Sequence, residues 1–357
     1  MVQPLWWPLR FLRMSRSCPP RVTARLAFPI ACLLVAGWPL AAAAHVKWFA
    51  PYDVPGQPRI LPEIFKLMFW QPLSAALLAF VLTCYLEPSR VGAGILAALD
   101  RFSRWLRPRV DDLYRAGTAA FFIALWTLGG IILTPELKTS SPLVPLLQLG
   151  IAIGMFWRPT MVLSALGIVV LYAIGLWNYG LFHMLDYPIF LGLAAYLACS
   201  GLEIDPFGVR PLDIARWAAG LTLMWASVEK WAYPDWTYPL LRNDPGLAMG
   251  FYVDYYMSAA GVVEFSLALG LLWTPLVRRL SALVLIAMFA AAIVPFGKLD
   301  AIGHSMIIVI LIGILVDREP AIRRPPISAM AYYPAALVAT IGLYYGLHAL
   351  IYGTAIW

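Results

Sequence analysis

Apolar residues recur along the chain in runs of about 15–25 residues, the length that a hydrocarbon layer of about 30 Å requires of a helix. In lipid the backbone must satisfy its own hydrogen bonds, so each run is predicted to be helical. The pattern predicts an all-α, polytopic transmembrane helix bundle. Its ten predicted spans are 67–86, 116–133, 143–157, 160–177, 182–200, 216–231, 251–274, 280–296, 302–316 and 332–351.

Residues 1–44 are predicted to be a cleaved signal peptide. Five arginines precede an apolar stretch from Leu26 to Ala36, and four alanines end at Ala44. Cleavage there would make His45 the mature N-terminus, whereas the alternative is an uncleaved first helix. Without the leader the chain has 21 basic and 19 acidic residues, so most of the net charge of +7 lies in the leader. Outside the membrane segments the sequence has no basic patch interleaved with aromatic residues, so nothing indicates nucleic-acid binding.

The distribution of basic residues predicts the orientation of the bundle. With His45 outside, fourteen Arg or Lys residues lie in or beside five short segments predicted to be cytoplasmic, against six in the outer segments. This asymmetry is typical of cytoplasmic loops. The cytoplasmic segments are 87–115, 158–159, 201–215, 275–279 and 317–331. The chain is therefore predicted to lie in the inner (plasma) membrane, with the mature N-terminus and the C-terminus in the periplasm.

An internal repeat predicts two tandem four-helix units, at 116–200 and 201–316. Residues 45–115 would add the periplasmic N-terminus, the first span and a cytoplasmic loop, and residues 317–357 a second loop and the last span. Four residues of the first unit have counterparts 116 positions later, and a Leu-Ser-Ala-Leu string recurs 117 positions later. The matching pairs are Gln148 and Glu264, Gly154 and Gly270, Trp157 and Trp273, Pro159 and Pro275, and Leu163 and Leu280. Parallel repeats occur in some transporters and in other bundles, so the repeat does not choose a function.

A layer of ionisable residues crosses the second unit. Lys230, Glu264 and His304 each lie 14 residues from an arginine at a cytoplasmic helix end, which corresponds to about 21 Å of helix. Each ionised group inside a span costs about 2.5–3.5 kcal/mol on insertion scales, so a partner is expected. Lys230 and Glu264 are predicted to pair, either as a structural clasp or as the floor of a periplasm-facing site. Asp300 is placed to orient His304.

Histidines and aromatic rings gather toward the outer side. His45, His183 and Asp186 are candidate ligands for copper or another transition metal, although no H-x-x-x-H or Cys-His spacing supports a metal site. A quinone or proton-linked site and purely structural hydrogen bonds are the alternatives. Glu229, Trp231 and Tyr255 are candidate cofactor-binding residues, because a quinone head group needs rings and polar donors. An interfacial aromatic belt would have the same composition.

The second unit resembles the DoxX/DoxD-like family of small four-helix membrane proteins. The resemblance covers about residues 216–316. Two stretches carry it. The first runs from Arg216-Trp-Ala-Ala-Gly220 to Glu229-Lys230-Trp231, and the second runs from Gly261-Val-Val-Glu264 to Leu269-Gly270 and Arg278-Arg279. Lys230 and Glu264 fall on the positions where the motif of that family has a lysine and a glutamate. The resemblance implies a membrane subunit linked to redox or sulfur metabolism, since some relatives are described as thiosulfate:quinone oxidoreductase subunits.

Three functions therefore stay open. In the first, a redox-associated protein presents Lys230, Glu264, His304 and Asp300 to quinone and acts with a periplasmic or membrane redox partner. In the second, a transporter or metal-handling permease uses the outer histidines and Asp186, and in the third the layer only pins helices together. The sequence contains no G-x-S-x-G, P-loop, dinucleotide fingerprint or C-x-x-C-H, so it does not decide whether the protein is an enzyme.

Overall fold

The computed structural model describes residues 46–319 and 325–357. The predicted signal peptide and His45 lie outside these ranges. Apart from one isolated β-bridge between Ile131 and Lys138, the described residues form helices, turns and loops. The fold class is all-α, as predicted.

Twelve α-helices make up the described part of the chain. The first half contains α1 (Leu61–Ile64), α2 (Leu67–Leu86), α3 (Arg90–Ser103), α4 (Val110–Leu128), α5 (Leu143–Gly154) and α6 (Met161–Met184). The second half contains α7 (Pro188–Leu202), α8 (Pro211–Ala232), α9 (Tyr238–Asn243), α10 (Val253–Leu271), α11 (Pro275–Val316) and α12 (Ala329–Tyr352). Short 3₁₀ helices connect them at Val46–Trp48, Arg107–Arg109, Pro206–Gly208, Pro234–Trp236, Pro245–Ala248 and Pro326–Ser328.

Four helical segments are long and apolar enough to cross a membrane. They are Leu67–Leu86, Met161–Met184, Pro275–Val316 and Pro326–Tyr352, while Leu143–Gly154 and Pro188–Leu202 are apolar but shorter. Their length and composition fit an integral membrane protein in a lipid bilayer.

Several predicted boundaries differ from the helices observed, for example at 116–133 (observed Val110–Leu128) and 160–177 (observed Met161–Met184). The span predicted at 182–200 begins too early, because α6 continues to Met184 and a turn separates it from α7, which begins at Pro188. The segment predicted as the loop 87–115 contains α3, whose first turn is capped by the Ser89 hydroxyl accepting from the Gly92 backbone N–H (3.1 Å). A serine at this position satisfies a helix N–H that would otherwise lack a partner.

Helix α11 folds back on itself. The Arg279 guanidinium donates to the carbonyl of Leu315 at 2.7 Å, whereas an unbroken helix would separate these residues by about 54 Å. The reversal occurs at Gly297, whose φ of 68° and ψ of −149° are not helical. The two antiparallel halves correspond to the spans predicted at 280–296 and 302–316.

The five segments predicted to be cytoplasmic meet at one end of the molecule. Arg158 forms ion pairs with Asp111 (3.0 Å) and Glu203 (2.8 Å), which joins three of them. Arg210 pairs with Asp317, Arg279 and Arg318 pair with Asp100, and Thr274 donates to Glu87. The arginines of the segments predicted to be cytoplasmic therefore lie together at one end of the molecule.

The N-terminal and C-terminal segments meet at the opposite end. The backbone N–H of Leu61 donates to the carbonyl of Ile356 (3.0 Å), and the Tyr345 hydroxyl donates to that of Arg59 (2.6 Å). His348, buried in α12, contacts the carbonyl of Val54 (2.8 Å). These contacts fix the segment before α1 against the end of the helix bundle.

Several contacts recur at the spacing of the sequence repeat. Ser164 lies against Gly154 so closely that a Cβ on the glycine would collide with its hydroxyl, and Ser281 lies against Gly270 in the same way. Both pairs are related by 116 or 117 positions, like the sequence matches. A glycine at each point allows the two helices to approach closely.

Two further features are shared by the two halves. Arg115 donates to the carbonyl of Met155 (3.0 Å), and Arg216 donates to that of Leu271 (3.3 Å); the two acceptors are 116 positions apart, whereas the two arginines are 101 apart. Gly180 interrupts α6 with a φ of 82°, and Gly297, 117 positions later, interrupts α11. The sequence matches thus correspond to structural features that both halves share: close glycine–serine contacts, arginine–carbonyl hydrogen bonds and helix interruptions at glycine.

We predict that Gly297→Ala destabilises the fold by about 1–3 kcal/mol, because its backbone conformation is essentially restricted to glycine. A Cβ at Gly297 meets no atom within 4 Å, so the loss would come from the backbone alone. Gly342→Ala in α12 is the matched control, since that site is equally open and has no positive φ. Unfolding by SDS in mixed micelles, followed by circular dichroism, measures both. Equal stability of the two variants would contradict the prediction.

Candidate functional site

A cavity of about 100 Å³ lies between α7, α8, α10 and α11, close to the N-terminal segment. It brings together five of the ten residues singled out in the sequence: Asp186, Glu229, Lys230, Glu264 and His304. The remaining wall is largely apolar and includes Phe190, Leu223, Val263, Met288 and Phe289. We call this cavity the chamber.

Lys47 is the buried cation at one side of the chamber. It lies in the 3₁₀ turn Val46–Trp48, is 5% exposed, and forms ion pairs with Asp186 and with Glu229, the latter at 2.6 Å. Burial alone would lower the pKa of Lys47, but the two carboxylates raise it overall, so the ammonium stays charged. The Nζ atom also lies 5.5 Å from the centre of the Trp236 ring. Lys47 thus joins three separate segments of the chain.

Lys230 and Glu264 form the ion pair that the sequence predicted. Their Nζ and Oε2 atoms are 2.5 Å apart, between α8 and α10, and both side chains are mostly buried. Glu229 precedes Lys230 by one residue and points elsewhere, toward Lys47. Adjacent residues in a helix point about 100° apart, which lets α8 serve two ion pairs.

His304 forms a dyad with Asp300, one helical turn away in the second half of α11. The Nδ1 atom of His304 lies 3.0 Å from Oδ2 of the buried Asp300. The imidazole stacks on Phe289 (4.7 Å between ring centres) and lies against Trp48 (4.8 Å). With Nδ1 engaged, Nε2 is the nitrogen available to a ligand. Gly303 makes room for Trp48, because a Cβ there would collide with the indole.

Carboxylates outnumber lysines around the chamber. Glu136 is a further buried acid, close enough to Lys47 and Asp186 to interact electrostatically, and it forms no ion pair within the described residues. Burial raises the pKa of Glu136 to about 7. With Asp186, Glu229, Glu264 and Asp300 this makes five buried acids against Lys47 and Lys230. Isolated buried charge is costly, so Glu136 keeps its proton up to about pH 7.

Trp231 and Tyr255 lie away from the chamber. Trp231 donates to the carbonyl of Ser258 (3.2 Å) and meets Phe69 edge-on. Tyr255 is in contact with Phe251. The chamber is lined instead by Tyr256, the next residue of α10. Trp231 and Tyr255 are therefore not placed to bind a ligand in the chamber, and a role for them in cofactor binding elsewhere stays a prediction.

The two candidate metal ligands that the structure describes, His183 and Asp186, have other partners. His183 is buried against the rings of Tyr52 and Tyr179, and Asp186 faces Lys47. Across residues 46–319 and 325–357, no three His, Cys, Asp or Glu side chains are placed to hold a metal ion. His45 lies outside the described residues.

Three residues of the site were not singled out in the sequence: Lys47, Trp48 and Glu136. Lys47 is one of the six basic residues in the predicted outer segments, and Glu136 lies in the loop between α4 and α5. The available signal was the position of Lys47 between aromatic and apolar residues immediately after the leader. An isolated lysine there is unusual for a solvated segment, but only the fold reveals its partners.

Comparison of the chain with protein-family models, with curated proteins and with solved structures gives no match. The site must therefore be interpreted from its own geometry.

We predict that Glu136→Gln stabilises the protein increasingly as the pH rises from about 4.5 to 7. The folded state holds the Glu136 proton up to about pH 7, whereas the unfolded chain releases it near its ordinary pKa of 4.5. Since the folded state binds more protons in that window, stability falls as the pH rises. The glutamine variant lacks this loss, which is on the order of 3 kcal/mol.

The measurement is the difference in unfolding free energy between the variant and the unaltered protein at several pH values. Glu63→Gln on an exposed turn is the matched control. A difference for Glu136→Gln that does not change with pH would contradict the prediction.

Proposed function

We propose that this protein is an integral inner-membrane subunit that binds the head group of a quinone in the chamber. In this proposal it exchanges protons with the bound quinone and acts with a redox partner in the membrane or periplasm. The partner supplies or accepts the electrons, and the chain described here holds the ligand and its protons.

The observation that carries the proposal is the His304–Asp300 dyad facing an apolar chamber. Asp300 engages Nδ1 at 3.0 Å and so orients the ring, which leaves Nε2 for the chamber. A quinone presents carbonyl oxygens, and a protonated imidazole nitrogen donates to such an acceptor. Phe289 and Trp48 hold the imidazole from its sides, so its direction is fixed before a ligand arrives.

The size and lining of the chamber support a ring-shaped ligand. Its volume of about 100 Å³ is on the scale of the roughly 150 Å³ engineered cavity that binds benzene. Apolar walls with a few convergent polar groups are typical of small-molecule sites. Three such groups, Lys230, Glu264 and His304, line the chamber together.

The excess of buried carboxylates supports a proton-linked ligand. A quinone takes up two protons when two electrons reduce it, and groups that hold protons beside the head group would supply them. Glu264 and the cluster of Asp186 and Glu229 around Lys47 are the nearest reservoirs that line the chamber.

The assembled topology supports a periplasm-facing site. The arginines of the predicted cytoplasmic segments gather at one end, and the chamber lies near the other, beside the N-terminal segment. In this proposal ten spans form two parallel four-helix units, with both mature termini in the periplasm. The recurring glycine, serine and arginine contacts support the two units.

The resemblance of residues 216–316 to the DoxX/DoxD-like family also supports this proposal. It adds the class of reaction, which is a redox step linked to quinone. Lys230 and Glu264, which carry the resemblance, are paired at the chamber.

Binding of a short-chain quinone to the purified protein in nanodiscs tests the proposal. We predict saturable binding, and we predict that His304→Phe weakens it at least about tenfold, since a lost hydrogen bond costs about 1–3 kcal/mol. Phenylalanine keeps the ring that stacks on Phe289 but removes both nitrogens.

Tyr255→Phe is the matched control, because that ring lies outside the chamber. Its affinity should equal that of the unaltered protein. The proposal is wrong if no quinone binds at saturating concentration, or if His304→Phe binds as tightly as the control.

A further inference from the structure

A second cavity lies beside the chamber, at the same end of the molecule. It measures about 90 Å³ and has a polar, charged lining that includes Arg59, Glu63, Lys66, Asp254 and Ser258. Glu63 and Lys66 are exposed, so this cavity opens to the exterior. We call it the vestibule. Its charged rim suits water and hydrophilic solutes, whereas the chamber is mainly apolar.

Lys230 lines both cavities. Its ion-pair partner Glu264 lines the chamber, and the residue after it, Trp231, lines the vestibule. The two spaces therefore meet at the Lys230–Glu264 pair, whose atoms are 2.5 Å apart. Side-chain exposure falls from 17% for Lys230 to 10% for Glu264. The lysine thus lies on the side nearer to water.

We propose that the Lys230–Glu264 ion pair is a gate between the vestibule and the chamber. While the pair is closed it separates the two cavities, and when it opens, water, protons and small hydrophilic solutes pass. This inference deepens the proposed function, because it names the route by which protons reach a bound quinone. It rests on that proposal only for the identity of the ligand.

Lysine is suited to this movement. Its four-carbon stem is flexible, and such side chains extend along apolar surfaces to place the ammonium in water. Swinging outward would bring Lys230 into the vestibule, whose lining includes the carboxylates of Glu63 and Asp254. Glu264 would then face the chamber without its cation, and the passage between the two cavities would be open.

On the side of the N-terminal segment, the chamber is bounded by Lys47 and Trp48. Lys47 fills the space between Asp186 and Glu229, and Trp48 covers Gly303 and His304. The segment that carries them is anchored by the contact of Val54 with His348. The lysine at position 230 is the side chain that faces both cavities, so it is the expected point of opening.

Cysteine accessibility tests the gate directly. In a background with all native cysteines replaced by alanine, Ala260→Cys reports on the chamber and Ser258→Cys on the vestibule. The two positions are two residues apart on α10, which makes them a matched pair. The probe is a charged, membrane-impermeant methanethiosulfonate, and the readout is the rate of labelling by mass spectrometry.

We expect Ser258→Cys to react quickly whether or not the pair is intact. Ala260→Cys should react at least tenfold more slowly with the pair intact, and Glu264→Ala should raise its rate at least tenfold. Glu264→Gln, which keeps the shape of the side chain, should give a smaller increase and serves if the alanine variant does not fold. Size-exclusion chromatography checks folding.

Two results would overturn the gate. Fast labelling of Ala260→Cys with the pair intact would mean that the chamber is open elsewhere. Slow labelling in both Glu264 variants, with Ser258→Cys still reactive, would mean that the pair does not control access. Neither result depends on quinone binding, so failure of the gate and failure of the proposed function are distinguishable.

Discussion

The arrangement of the site depends on one buried cation, Lys47. A lysine removed from water is stable only with carboxylates beside it, and here Asp186 comes from the turn between α6 and α7 while Glu229 comes from α8. The ion pairs therefore tie the N-terminal segment to both halves of the bundle. Trp48, the next residue, is held against His304 as a consequence. The wall of the chamber thus begins with the residues that follow the predicted leader.

The two halves share glycine contacts and helix interruptions but differ in the polar residues at matching positions. Gln148 donates to the carbonyls of Ile131 (2.7 Å) and Ile132 (3.0 Å), so it fixes the loop after α4. At the matching position Glu264 pairs with Lys230 beside the chamber. A neutral amide satisfies the backbone without a charged partner, whereas a carboxylate needs one. The chamber accordingly lies mainly in the second half.

Helices and the Lys230–Glu264 pair could be predicted because both follow from local rules. Apolar runs of membrane length define helices, and two ionisable residues at one depth imply a partner. Equal depth also anticipated that His304 would join them. Lys47 and Glu136 could not be found this way, since they lie outside the apolar runs and their burial depends on how distant segments fold over them. The reversal at Gly297 was anticipated as a gap between two spans, but its backbone conformation was not.

A double-mutant cycle on Lys47→Met and Glu229→Gln tests the central ion pair most directly. Lys47→Met leaves Asp186 and Glu229 buried without their cation, at a cost of about 3–5 kcal/mol in unfolding free energy, whereas Glu229→Gln leaves Lys47 paired with Asp186 and costs less. The account predicts that the double variant loses less than the sum of the two, by a coupling of at least about 1.5 kcal/mol. A coupling within about 0.5 kcal/mol of zero would contradict it, because independent sites add to that precision.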